Sequence, residues 1–144
     1  MFINTKILFI GLFLFEFIID VFFTKETIKC IRSKKSLNDK IEILGIISFH
    51  HIISVFIIFG WILTNIKLLI LYIFMTIGTI ISWSVNNGLC YLTVMQNTRC
   101  NWIKTKKFNH IFSIFNIPQN KNTIKYFIGY TIFGILAALY KIIY

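Results

Sequence analysis

Four apolar runs organise this chain, with lysine-rich polar stretches after the first and before the last. The runs lie at about residues 7–23, 41–64, 66–86 and 124–140, each near the ~20 residues that a transmembrane helix needs. The first run is as short as the last and holds two acids, Glu16 and Asp20. Lys6 followed by an apolar stretch fits a signal peptide. However, no small-x-small cleavage site follows and Glu16 interrupts the run, so an uncleaved anchor is predicted.

The third run does not stop cleanly. Thr76, Thr79, Trp83, Asn86, Cys90, Thr93 and Asn97 recur at alternating steps of three and four, the spacing of one helical face. That register predicts a helix continuing to about residue 97 and bent at Gly88. Next, Phe108, Ile111, Phe112 and Phe115 follow a basic cluster at i, i+3, i+4 and i+7. They predict a short amphipathic cytoplasmic helix at about 107–117, ended by Pro118 and carrying His110 on the interface. In the last run Thr131, Gly134 and Ala138 make a small-residue stripe suited to close helix contact.

Composition agrees with lipid as the solvent. Of the 144 residues 57% are apolar and only 14% charged, with a mean hydropathy of +0.77. A chain this short cannot hide four runs of bilayer length in a water-borne core. The net charge of +10 by itself suits nucleic acid, but no RNA-binding signature accompanies it, and no nucleic acid is expected as a partner. Basic residues of membrane proteins collect in cytoplasmic loops, where they meet anionic lipid headgroups. Here Lys25, Lys29, Arg32, Lys34, Lys35 and Lys40 follow the first run. Arg99, Lys104, Lys106, Lys107, Lys121 and Lys125 precede the last. The other side has Lys6, Lys67 and Lys141. Residues 24–40 and 98–123 are therefore expected in the cytoplasm, with both termini extracytoplasmic or luminal. Cys30, Cys90 and Cys100 are odd in number and form no C-x-x-C, so reduced structural thiols are the expectation, in a reducing compartment.

Polar groups inside the apolar runs carry the candidate chemistry. Glu16 and Asp20 are i, i+4 on one face. His50 and His51 interrupt the second run, and Trp83, Asn86 and Cys90 lie at the cytoplasmic end of the third. Such groups satisfy one another more cheaply than lipid could, which predicts a polar intramembrane network. Adjacent helical residues point about 100° apart, so the two histidines should be unequal: His51 toward Trp83 and Asn86, His50 toward Glu16 and Asp20. The plain reading of this network is helix packing. A metal or haem site built from His50, His51 and Asp20 is the sharper one, with Glu16 and Cys90 in reserve. No H-x-x-H, H-x-x-x-H or E-x-x-H spacing supports it, and neither metal nor cofactor is expected. A proton or small-solute path is a third. Ser48, Ser54 and Cys90 lie near the histidines in depth, but no nucleophile-elbow motif surrounds them.

The stretch "WSVNNGLCYLTVMQNTRC", residues 83–100, carries a resemblance. Trp83, Gly88, Cys90, Leu92, Thr93 and Asn97, preceded by His51 and by Trp61 in "FGW", resemble a family of small four-helix membrane proteins of unknown function. That family has a Cys-Pro-Leu-Thr…Glu-Asn-x-x-Arg signature after its third helix, and short membrane proteins of large DNA viruses look similar. The likeness covers roughly residues 45–100. Tyr91 stands where the family has proline, Gln96 where it has glutamate, and Arg99 falls one position early. The resemblance implies the four-helix fold and supplies no reaction.

Together these readings predict an all-α, integral membrane four-helix bundle of one domain. Its expected role is non-catalytic: a structural, assembly or interaction component of a cellular or viral membrane. The alternatives are a membrane enzyme or a metal- or haem-binding redox protein using the intramembrane histidines and acids, and then a small transporter. So short a chain would need to form a homo-oligomer to enclose a substrate cavity.

Overall fold

The computed structural model describes residues 5–86, 89–102 and 121–144, with side chains from residue 125 onward in the last segment. All regular structure among them is helical. α1 spans Thr5–Ile18 and runs into a π-helical turn, Ile19–Phe23. α2 (Lys25–Ser33) follows after a 69° bend. α3 is Leu37–Phe59, closed by a 3₁₀ turn at Gly60–Ile62. Then come α4 (Ile66–Val85), α5 (Tyr91–Arg99) and α6 (Lys121–Ile143).

The helix ends follow from local chemistry. Ser36 Oγ accepts from the Asn38 amide at 3.1 Å to open α3, and Asn65 Oδ1 accepts from the Leu68 amide at 3.2 Å to open α4. Each side chain satisfies an amide that has no partner within its helix. The carbonyls left at the end of α3 are taken by Lys141 of α6. Its Nζ lies 3.1, 3.3 and 3.4 Å from the oxygens of Trp61, Ile62 and Leu63, a cation on the negative end of a helix dipole. α5 closes through Asn101, which takes a left-handed φ of 53°. The Trp102 amide then donates to Asn97 O at 2.9 Å and the Asn101 amide to Thr98 O at 3.3 Å, the paired bonds of a Schellman ending.

The continuous helix expected from residue 66 to 97 is not formed. α4 ends at Val85, and α5 begins only at Tyr91. Asn86 folds its amide back on Ser82, 2.9 Å from the carbonyl and 3.3 Å from Oγ. Ser82 Oγ in turn accepts from the Tyr91 amide at 2.8 Å. Side chains thus take backbone partners that a continuing helix would need. Gly88 and the amphipathic segment at 107–117, with His110, lie outside the described residues.

α3 is the axis of the assembly. α1 packs against it, α4 pairs with α6, and α2 and α5 flank the start of α3. Two apolar cores result. One joins Leu63, Leu69, Tyr72 and Ala138 with Phe56 and Trp61; the other joins Cys30, Ile43 and Ile47 with Phe17, Cys100 and Trp102. The small-residue stripe on α6 faces inward, with Thr131 and Ala138 fully buried. Three helical stretches, Leu37–Ile62, Ile66–Val85 and Lys125–Ile143, are long and apolar enough to cross a membrane, and the bent α1–α2 pair passes the same test as one unit. Large apolar side chains stay exposed along them, among them Phe74 at 70% and Leu136 at 61%. Water tolerates such continuous apolar surface poorly.

Cys30 and Cys100 are joined by a disulfide, with Cα atoms 5.3 Å apart. This corrects the expectation of reduced thiols. The pairing was hidden by a sequence separation of 70: the bend after α1 turns α2 across the bundle and brings Cys30 to the end of α5. Beside the bond, Lys34 Nζ donates to Arg99 O at 2.5 Å and Arg99 pairs with Glu42 at 2.6 Å.

Candidate functional site

Inside the packing of α1 on α3 lies a fully buried cluster of two acids and an imidazole. His51 Nδ1 is 3.2 Å from Glu16 Oε2, and His51 Nε2 is 3.2 Å from Asp20 Oδ2. Glu16 and His51 have no exposed surface and Asp20 has 2%. Thr27 of α2 donates from Oγ1 to Asp20 Oδ1 at 2.8 Å, and the Phe17 ring stands edge-on to the imidazole with centroids 6.4 Å apart. Four elements therefore meet here: α1, the π-turn, α2 and α3.

The sequence builds this locally. Glu16 ends one turn of α1 and Asp20 begins the next, and the π-turn's i→i+5 bonding rotates the backbone from Ile19 onward relative to a straight α-helix. The two carboxyls flank the ring edge from opposite sides. On α3, His51 continues a buried stripe of Ile43, Ile47 and Val55, spaced four apart so that all four side chains share a face.

The geometry fixes a proton count. A neutral imidazole has one N–H and can donate to one carboxylate only. Both contacts become hydrogen bonds when the cluster holds one more proton, either on the ring between two carboxylates or on one carboxyl that then donates to the ring. Glu16 Oε1 is left buried with no hydrogen-bond partner among the described residues. Charge-assisted bonds of this kind offset the desolvation that an isolated buried ion could not survive.

Of the residues expected to form one polar network, the structure brings Glu16, Asp20 and His51 together and leaves the others apart. The acids bind His51, not His50, and His51 does not reach Trp83 or Asn86. Trp83 packs on Phe127 of α6 with centroids 5.4 Å apart, and Asn86 bonds Ser82. Trp83 lies on α4 and Asn86 caps its end, and α4 packs against α6. His50 is buried but forms no ion pair with either carboxylate. The alternative metal set of His50, His51 and Asp20 does not converge, because His51 spends its two nitrogens on carboxyls on opposite sides. Among the described residues no three His, Cys, Asp or Glu side chains are arranged to hold a metal. Thr27 was not foreseen, since a threonine in a basic stretch gives no signal of burial.

The remaining motif residues are spread through the bundle. Trp61 donates from Nε1 to Tyr130 Oη at 2.9 Å and to Ile58 O at 3.1 Å, closing α6 onto the end of α3. Thr93 and Asn97 are buried on α5, Leu92 is half-buried, and Cys90 is a free thiol preceding that helix. Burial pushes the Cys90 thiol above its ordinary value, against the opposing pull of the amides at the start of α5. No family model, curated protein or solved structure matches the chain.

Proposed function

We propose that this chain is a multipass integral membrane protein with a non-catalytic role, a structural, assembly or interaction component of its membrane. In this reading the Glu16–His51–Asp20 cluster fastens α1 and α2 to α3. One observation carries it: His51 has no exposed surface, and a carboxylate lies against each of its nitrogens. No ring edge is left for a substrate or a metal. A polar knot of this kind replaces the water that a bilayer lacks. Purification in detergent followed by metal analysis and an absorption spectrum tests the reading. Neither stoichiometric metal nor a Soret band is expected; either one would overturn it. A proton path is the second reading, favoured by Glu16 Oε1, a buried acceptor with no hydrogen-bond partner among the described residues.

The orientation proposed places residues 24–40 and 98–123 in the cytoplasm and both ends outside. Lys and Arg act on segments as they insert, before tertiary structure exists, so the charge bias outranks a bond made later. The Cys30–Cys100 disulfide then stands on the cytoplasmic face. Cys30 is 3% exposed, so exchange with cytoplasmic thiols would have to proceed at the half-buried Cys100 sulfur. Single cysteines at two exposed positions report the sidedness. Thr64→Cys in the α3–α4 turn should react with an impermeant maleimide on intact cells, and Lys35→Cys only after permeabilisation. The opposite pattern would invert the topology.

A further inference from the structure

We infer that the outer face of α2 is a binding site for the headgroup of an anionic phospholipid, recognised by its net negative charge. The proposal rests on the membrane reading above and names a specific partner for one of its surfaces. α2 lies at 69° to the helix before it. If α1 crosses the bilayer, α2 runs close to the membrane plane, at the level where the chain leaves the apolar layer. Phe22 and Phe23, 65% and 73% exposed, stand immediately before it as an apolar edge. Lys25, Lys29 and Arg32 fall at i, i+4 and i+7, within about 60° of one another around the helix. Thr27 and Cys30 occupy the opposite, buried face. The three cations, with Ile28 and Ser33, line an open groove of about 470 Å³.

These cations differ from others at the helix ends. Arg99 is paired with Glu42, Lys34 holds Arg99 O, and Lys141 holds three carbonyls. Lys25, Lys29 and Arg32 make no hydrogen bond or ion pair among the described residues. The acid on the same helix, Glu26, pairs with none of them either. Three unpaired cations gathered over two turns beside exposed phenylalanines complement an anionic headgroup whose acyl chains lie against the apolar edge. A phosphate diester has acceptor oxygens for the guanidinium fork and for both ammonium groups.

Native mass spectrometry of the full-length protein released from mixed micelles tests this, with phosphatidylserine and phosphatidylcholine as competing probes. The chain should retain phosphatidylserine preferentially. The triple variant Lys25→Gln, Lys29→Gln, Arg32→Gln should lose about a hundredfold of that preference, at roughly fivefold per cation. Because these side chains are exposed, its melting temperature should match the native chain's, which separates loss of binding from loss of fold. Glu26→Gln, which removes the local negative charge, should strengthen retention. Equal retention of the two lipids, or an unchanged triple variant, would overturn the site. Full competition by inorganic phosphate at equal concentration would also overturn it, because it would show an anion site indifferent to lipid. Failure to retain either lipid would instead count against the membrane reading itself.

Discussion

Replacing His51 with leucine should be the most damaging single change in this protein. The leucine fills the space but leaves Glu16 and Asp20 facing each other in a site with almost no exposure. Stranding a buried charge by removing its partner costs about 3–5 kcal/mol, a large share of the ~5–15 kcal/mol that holds a typical protein folded. His51→Gln should be milder, because its amide can still donate to one carboxyl while the other acquires a proton. The monodisperse fraction recovered in detergent, followed against temperature, distinguishes them. Leucine should abolish the folded species and glutamine should lower its melting temperature. Equal tolerance of both would mean that the cluster contributes nothing to the fold.

The second large effect lies at the other core. Tyr72 of α4 is fully buried between Gly60, at the end of α3, and Gly134 of α6. A methyl at Gly60 would overlap the Tyr72 ring at Cδ2, whereas one at Gly134 would overlap the Tyr72 hydroxyl oxygen. Each alanine should destabilise by about 1–3 kcal/mol, the usual consequence of overpacking. The two should part when Tyr72→Phe is added. Removing the hydroxyl takes away the worst clash at Gly134, so most of that loss should be recovered. The ring atom that opposes Gly60 remains, so Gly60→Ala should stay impaired. Thermal melts of the four variants check this, and equal rescue at both positions would refute the assigned contacts.

The two cores were unequally legible in the sequence. Helical runs of bilayer length could be read directly, and so could the stripe of Thr131, Gly134 and Ala138, because small residues that recur at three and four mark close approach. The grouping of Glu16, Asp20 and a histidine was legible too, since polar groups in an apolar layer must find one another. Which histidine was not. In a water-borne helix the polar side reveals the buried side. In α3 the outward residues Phe49 and Ile52 are as apolar as the inward Ile47 and Val55, so hydrophobicity has no rotational phase to offer. The i+4 stripe through Ile43, Ile47, His51 and Val55 becomes visible only once the burial is known.

The break between α4 and α5 escaped for a different reason. The seven-residue register from Thr76 to Asn97 assumes an unbroken helix, and it treats Asn86 as a face residue. Asn86 instead turns its amide onto Ser82. Short polar side chains compete with the helix for backbone partners, so the residues that made the register attractive were the ones able to end it. The disulfide depended on the bend at Thr24, which leaves no mark on the cysteine spacing.

The central claim is that Asp20 and His51 are partners within the bundle. A double-mutant cycle measures it most directly: Asp20→Ala, His51→Ala and the pair, each compared with the native chain by unfolding in one detergent. If the two groups meet as described, each single change leaves a buried charge or ring nitrogen unsatisfied. The double change should then cost less than the sum of the singles, by a coupling of about 0.5–3 kcal/mol. Costs that simply add would contradict the account.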